Sequence, residues 1–183
     1  MSDRTPLLIL GLGNVLLEDD GTGSAAVGML LDRYVPPEGV QVLDGGTLGL
    51  SLLPYLDASD AVILVDAIRA GAPVGTIVRI GGADVAPAVA TRLSPHQIGV
   101  ADLLDGARWL GRTPRALLLL GIVPESMELA IGVTPRVRAA LPDLVESIVG
   151  AARDLGFLFR PRLAHEMAVG GSAADVARLA GLR

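Results

Sequence analysis

Four carboxylates and an imidazole stand at or just beyond the ends of apolar runs in this chain. Asp20 lies in "GLGNVLLEDDGTG", which follows "PLLIL", and Asp44 lies in "VQVLDGGT". Asp66 comes straight after five apolar residues in "AVILVDAI", His96 sits in "SPHQ", and Glu125 sits in "GIVPES". Carboxylate oxygens and imidazole nitrogen, with no sulfur among them, suit Zn, Ni, Mn or Fe(II) rather than Cu(I) or an iron–sulfur cluster. Two acids and one histidine leave coordination positions open for water or substrate, the arrangement of a metal-dependent hydrolase. Each residue also has a plainer use. Asp20 could cap the helix after it, Asp44 before two glycines could be a turn acid, Asp66 could cap a short helix, and His96 could be a structural histidine.

What favours chemistry is where the elements would carry these residues. The strand candidates are Leu7–Leu12, Val40–Leu43, Ala61–Val65, Thr76–Ile80 and Ala116–Val123; the helix candidates are Asp20–Tyr34, Leu48–Leu56, Pro95–Leu110 and Pro135–Leu155. Continuous apolar strands such as "AVILV" and "ALLLLGIV" call for burial on both faces, as in a parallel sheet, and alternation with helices makes a three-layer α/β/α sandwich. In such a sheet the carboxyl ends of the strands share one edge, where ligands bind, and the acids and His96 gather there. Ser94-Pro95-His96-Gln97 reads as a capping box with proline at the first helical position, and Thr134-Pro135 repeats the start. At a helix N-terminus the imidazolium form is disfavoured, so His96 is expected neutral, the form a metal ligand needs. Val137, Leu141, Leu144, Val145, Ile148 and Leu155 share one face of the last long helix, which Pro142 is expected to bend and Gly156 to end. Residues 1–160 read as a single α/β domain and 161–183 as an Ala-rich, helical tail.

The glycines of the first loop invite a nucleotide reading. Gly11 and Gly13 fit the first two positions of Gly-x-Gly-x-x-Gly, and Asp44 lies near where a ribose-binding acid would fall. The third position is Leu16, however, and Glu18, Asp19 and Asp20 crowd the helix N-terminus that a pyrophosphate would need. Carboxylates facing a phosphate in a half-buried cleft would cost several kcal/mol, so no nucleotide is expected. "HEMAV" at His165 fails as a zinc-protease motif because its fifth residue is Val169, and no Gly-x-Ser-x-Gly elbow exists.

Composition narrows the classes further. The chain has 183 residues, 51% of them hydrophobic but only 3% aromatic, so the core must be aliphatic. A net charge of −5, without a basic cluster beside aromatics, argues against nucleic acid. Zero cysteines remove disulfides, thiolate ligands and a cysteine nucleophile. The polar start "MSDRT" has no basic-then-apolar pattern, and runs such as "ALLLL" fall far below the roughly 18 residues of a membrane helix. No membrane association and a cytoplasmic location are expected.

Five segments in order carry a more specific signal: "LGLGNVLLEDDGTG", "VLDGGTLGLSLLPYL", "LVDAI", "SPHQIGVADLL" and "GIVPESMELAIGVTP". Over Leu7 to Val137 the chain resembles the hydrogenase maturation endopeptidases, which process the large subunit of nickel–iron hydrogenases. The resemblance implies an α/β/α sandwich around a twisted, mostly parallel five-stranded sheet. It implies a metal-contacting and catalytic trio of Asp20, Asp66 and His96, with Glu18 and Asp19 left to a solvated rim. Asp44, Gly45 and Gly46 correspond to a turn associated with substrate recognition. The implied substrate is the precursor of the large subunit, loaded with nickel that the substrate itself presents, and the implied reaction removes a short C-terminal peptide. Water is the expected nucleophile, with Asp20 or Asp66 as general base or the metal as activator. A nickel-dependent chaperone that binds without cutting is the main alternative.

Overall fold

A computed structural model describes residues 4–90, 95–111, 113–163 and 166, with only the backbone at 90 and 95–101. The strands are β1 (Thr5–Leu12), β2 (Tyr34–Val35), β3 (Val40–Gly46), β4 (Ser59–Ala67), β5 (Ile77–Gly81), β6 (Ala116–Ile122) and β7 (Arg160–Pro161). The helices are α1 (Thr22–Arg33), α2 (Leu53–Asp57), α3 (Val85–Ala90), α4 (Pro95–Trp109) and α5 (Pro135–Asp154). Five strands form one sheet in the order β3-β1-β4-β6-β5. Its first three pairings are parallel and only β5 runs antiparallel, against β6. The five strand candidates and four helix candidates all correspond to elements. The short β2–β7 ribbon and α3 carry too few periodic residues to announce themselves.

Alternation along each strand divides the apolar residues between two layers. Leu7 and Ile9 of β1, Ile63 and Val65 of β4, and Leu120 and Ile122 of β6 meet α1 and α5 on one face. Leu8, Leu10 and Leu12, Val62 and Leu64, and Leu119 meet α2, α3 and α4 on the other. This two-sided burial is why the strands read as unbroken apolar runs.

The long α5 behaves as its pattern requires. Val137, Leu141, Leu144, Val145 and Ile148 are buried, whereas Leu155 falls at the C-cap and is partly exposed. Thr134 caps the start, its Oγ1 accepting from the Val137 N–H at 3.5 Å, with Pro135 at the first position. At the other end the Gly156 N–H donates to the Arg153 carbonyl and the Phe157 N–H to that of Ala152, both at 2.9 Å. Gly156 sits at φ 93°, completing a Schellman end of the kind glycine permits. The helix runs as one element through Pro142. No helix among the described residues is long and apolar enough to cross a membrane. Ser94 of the expected capping box, His165 and most of the 161–183 tail lie outside the described residues.

Candidate active site

β1 sits between β3 and β4, so the chain leaves β1 toward one side of the sheet and returns to the other. The crevice at the carboxyl ends of β1 and β4 is therefore the topological switch point, the usual ligand position in open α/β sheets. Asp20 and Asp66 both lie there. Asp66 is the penultimate residue of β4, opposite Gly121 of β6, and is 2% exposed. Its Oδ1 accepts from the Ala67 N–H at 2.8 Å. It lies inside the strand, one residue before its end. Asp20 is fully buried in a 3-10 turn, Glu18–Gly21, that packs on the end of β4.

The helix-cap use of Asp20 does not hold. α1 begins after Gly21, and no side chain caps it. Asp20 Oδ2 instead accepts from the Asn14 N–H at 2.9 Å and so closes the loop on itself. The glycines serve this closure. Gly13 has φ 121°, and a Cβ there would stand 1.7 Å from the Asp20 carbonyl oxygen. A Cβ on Gly23 would lie 2.2 Å from the Leu12 oxygen and 2.3 Å from that of Val65. Of the two glycines that suggested a phosphate turn, Gly11 makes room for Gly23 of α1 and Gly13 for the carbonyl of Asp20 in the turn before it.

Asp19 corrects one expectation. It is not solvated rim but fully buried, and its carboxylate accepts four hydrogen bonds. Oδ1 accepts from the Thr134 N–H at 2.7 Å; Oδ2 accepts from the Glu125 N–H at 2.8 Å, the Ser126 N–H at 3.1 Å and Thr134 Oγ1 at 3.0 Å. A buried carboxylate is tolerable only with donors of this number. Those donors lie 106 to 115 residues away, so only the fold reveals them. Glu18 is half-buried, with φ 42°.

Asp44 differs again. It is exposed, and its Oδ1 accepts from the Gly46 N–H at 3.1 Å and Ser24 Oγ at 2.7 Å. The turn-acid use is thus real, but Ser24 at the start of α1 also holds the carboxylate. Gly45 is buried, where a Cβ would meet Leu10 Cδ1 at 2.8 Å, and Gly46 has φ 45°. Glu125 points outward toward Arg136 at 3.6 Å and contributes its backbone N–H, not its side chain, to the site.

His96 enters in the first turn of α4, but its side chain lies outside the described residues. Among the described residues no three His, Cys, Asp or Glu side chains form a metal-holding group. Two cavities flank the edge. One, of about 330 Å³, lies beyond Asp66 between Arg69 and the Val123–Met127 segment. The other, of about 560 Å³, lies beside α1 and is lined by Glu18, Ser24, Asp32, Asp44, Ile131 and Arg138 among others.

Residues 25–151 match the HycI family, described as hydrogenase maturation protease. The hydrogenase 2 maturation protease of Escherichia coli is 40% identical over 158 residues, which is 85% of this chain and 96% of that protein. The hydrogenase expression/formation protein HoxM of Azotobacter vinelandii is 39% identical over 160 residues, 81% of this chain and 77% of its own. Among solved structures, the hydrogenase maturating endopeptidase HybD of E. coli superposes with a TM-score of 0.82 at 39% identity, over 86% of this chain and 98% of that one. The NiFe hydrogenase maturation protease HybD of Thermococcus kodakarensis does so with a TM-score of 0.66 at 27% identity, over 80% and 99%. The five-stranded, mostly parallel sheet with helices on both faces is the fold of these enzymes. The chain belongs to the hydrogenase maturation proteases and is therefore a peptide-bond hydrolase.

Proposed function

We propose that this protease removes a short C-terminal peptide from the nickel-loaded precursor of a nickel–iron hydrogenase large subunit, working at the edge formed by Asp20, Asp66 and His96. The observation that carries this assignment is the pair of buried acids from two different elements at the switch point: Asp20 is wholly buried and Asp66 is 2% exposed. Carboxylates kept from solvent beside a cleft suit charge-driven recognition of a cation, because attraction strengthens as the local dielectric falls. The cation is the substrate's own nickel. Oxygen and imidazole donors without thiolate match that borderline metal. In the hydrolysis, a water oxygen adds to the scissile carbonyl while one of the two carboxylates takes its proton; the proton then passes to the departing amine.

The Asp44-Gly45-Gly46 turn is assigned to substrate recognition. Asp44 is exposed, held by Ser24, and lines the cleft of about 560 Å³, where an extended segment of the precursor could contact it. Residues 1–160 would form the catalytic domain. A cytoplasmic location is consistent with a chain that has no cysteine to oxidise.

The test is incubation of the protein with nickel-loaded precursor and with nickel-free precursor, followed by intact-mass measurement of the large subunit. A mass loss equal to a short C-terminal peptide, seen only with the loaded form, is expected. An unshortened subunit in tight complex with the protein would replace this proposal with the chaperone role.

A further inference from the structure

We infer that Asp19 is a positioning residue: a buried carboxylate that ties the Asp20 turn to the far wall of the cleft and so sets where Asp20 stands. This inference rests on the proposed site, since it gives Asp20 its role, but it concerns a residue to which that site assigns nothing. Three features support it.

First, the Asp19 carboxylate is surrounded by donors, four in all. Two are the N–H groups of Glu125 and Ser126, in the segment that lines the cavity beyond Asp66. Two come from Thr134, through its N–H and its hydroxyl. The hydroxyl's direction is set, because Thr134 Oγ1 also accepts from the Val137 N–H and must give its own proton to Asp19. An asparagine at this position would put an NH₂ against a donor whichever way its amide turned.

Second, the backbone of the two segments runs together around this carboxylate. The Asp19 N–H donates to the Ser126 carbonyl at 3.2 Å, the Glu18 N–H to that of Ala130 at 3.0 Å, and the Ala130 N–H to that of Leu16 at 3.1 Å. Third, Asp20 follows Asp19 directly, and its Oδ2 is held by the Asn14 N–H within the same loop. The two consecutive side chains thus diverge, one into the clamp and one into the crevice. Loosening the first shifts the second.

The experiment compares Asp19→Asn with Val145→Ala. Val145 is buried in the α5 core, away from the site, and supplies a destabilised control. Asp19→Asn is expected to lower kcat on the loaded precursor by about 100-fold, the scale of a small misplacement of a reacting group, with KM little changed. Val145→Ala, at a comparable loss of Tm, is expected to keep kcat within about twofold. Equal kcat in the two variants would overturn the inference. Should Asp19→Asn fail to fold, Thr134→Val and Thr134→Ser take its place. The valine variant removes one clamp donor and is expected to lose about 10-fold in kcat. The serine variant restores that donor and the activity; equal activity in both would again overturn the inference.

A further arm does not depend on cleavage. In Asp19→Asn, or in Thr134→Val where that variant stands in, hydrogen exchange should speed up at the Glu125, Ser126 and Thr134 amides and also at Asn14, whose N–H reports on Asp20. Exchange at Asn14 unchanged while the other three accelerate would confine Asp19 to a local structural role. If wild-type protein leaves the precursor intact, the functional proposal fails, and the Asn14 amide still decides the positioning one.

Discussion

Two turns side by side at the carboxyl edge of the sheet treat their acids in opposite ways. The loop after β1 buries Asp19 and Asp20 completely, and Asp19 draws its donors from a segment more than a hundred residues on. The irregular end of β3 leaves Asp44 in solvent, satisfied by Gly46 two residues away and by Ser24. The turns touch, since the Gly13 N–H donates to the Gly46 carbonyl at 3.0 Å, so distance from the crevice does not explain the contrast. Desolvation does. A carboxylate stripped of water costs several kcal/mol unless donors or a cation replace the lost hydration, whereas an exposed one costs almost nothing. Asp19 recovers that cost through its clamp. In the site proposed above, a cationic substrate group meets Asp20, and Asp44 stays exposed for recognition.

Substitutions can break this contrast, beginning with the strongest. Asp66→Asn and Asp20→Asn remove the charge at the crevice while keeping shape. Each is expected to reduce cleavage of loaded precursor by about a thousandfold, measured as kcat/KM with far-UV circular dichroism showing an intact fold. Asp19→Ala leaves four donors without their acceptor and is expected to lower stability by on the order of 4 kcal/mol in urea unfolding. Gly13→Ala adds a methyl against the Asp20 carbonyl at a positive φ; a loss of about 3 kcal/mol is expected, together with reduced kcat.

The effects at the exposed turn should be smaller and of another kind. Asp44→Ala is expected to change stability by less than about 1 kcal/mol and to raise KM by about tenfold with kcat retained. A fall in kcat instead would move Asp44 into the catalytic group and erase the distinction between the turns. Glu18→Gly should have the mildest effect: relieving a non-glycine residue at φ 42° is expected to raise stability by about 0.5 kcal/mol in the same unfolding assay.

The sequence disclosed the sheet and the edge but not the division of labour on it. Strands buried on both faces announce themselves as unbroken apolar runs, so β1, β4 and β6 were plain, and Asp66 stood out because it ends such a run. α5 was equally plain, from its cap at Thr134 to its glycine end. The run Glu18-Asp19-Asp20 was another matter. Its three acids are chemically alike and adjacent, and what separates them is which one meets Glu125, Ser126 and Thr134. That depends on how β6 returns beside β4, which no local pattern encodes. The cap at Thr134 was legible; its second bond, to Asp19, was not. The glycines were ambiguous in the same way, because their spacing suits a phosphate turn as well as a helix pressed onto two strands; the adjacent acids argued against the phosphate.

The most direct test of the buried pair as the working centre is the intact mass of the large subunit after nickel-loaded precursor meets either wild-type protein or Asp66→Asn. Wild-type protein should yield a subunit lighter by one short C-terminal peptide, while Asp66→Asn, correctly folded, should leave the full-length mass. Shortening of the subunit by Asp66→Asn at the wild-type rate would contradict the assignment.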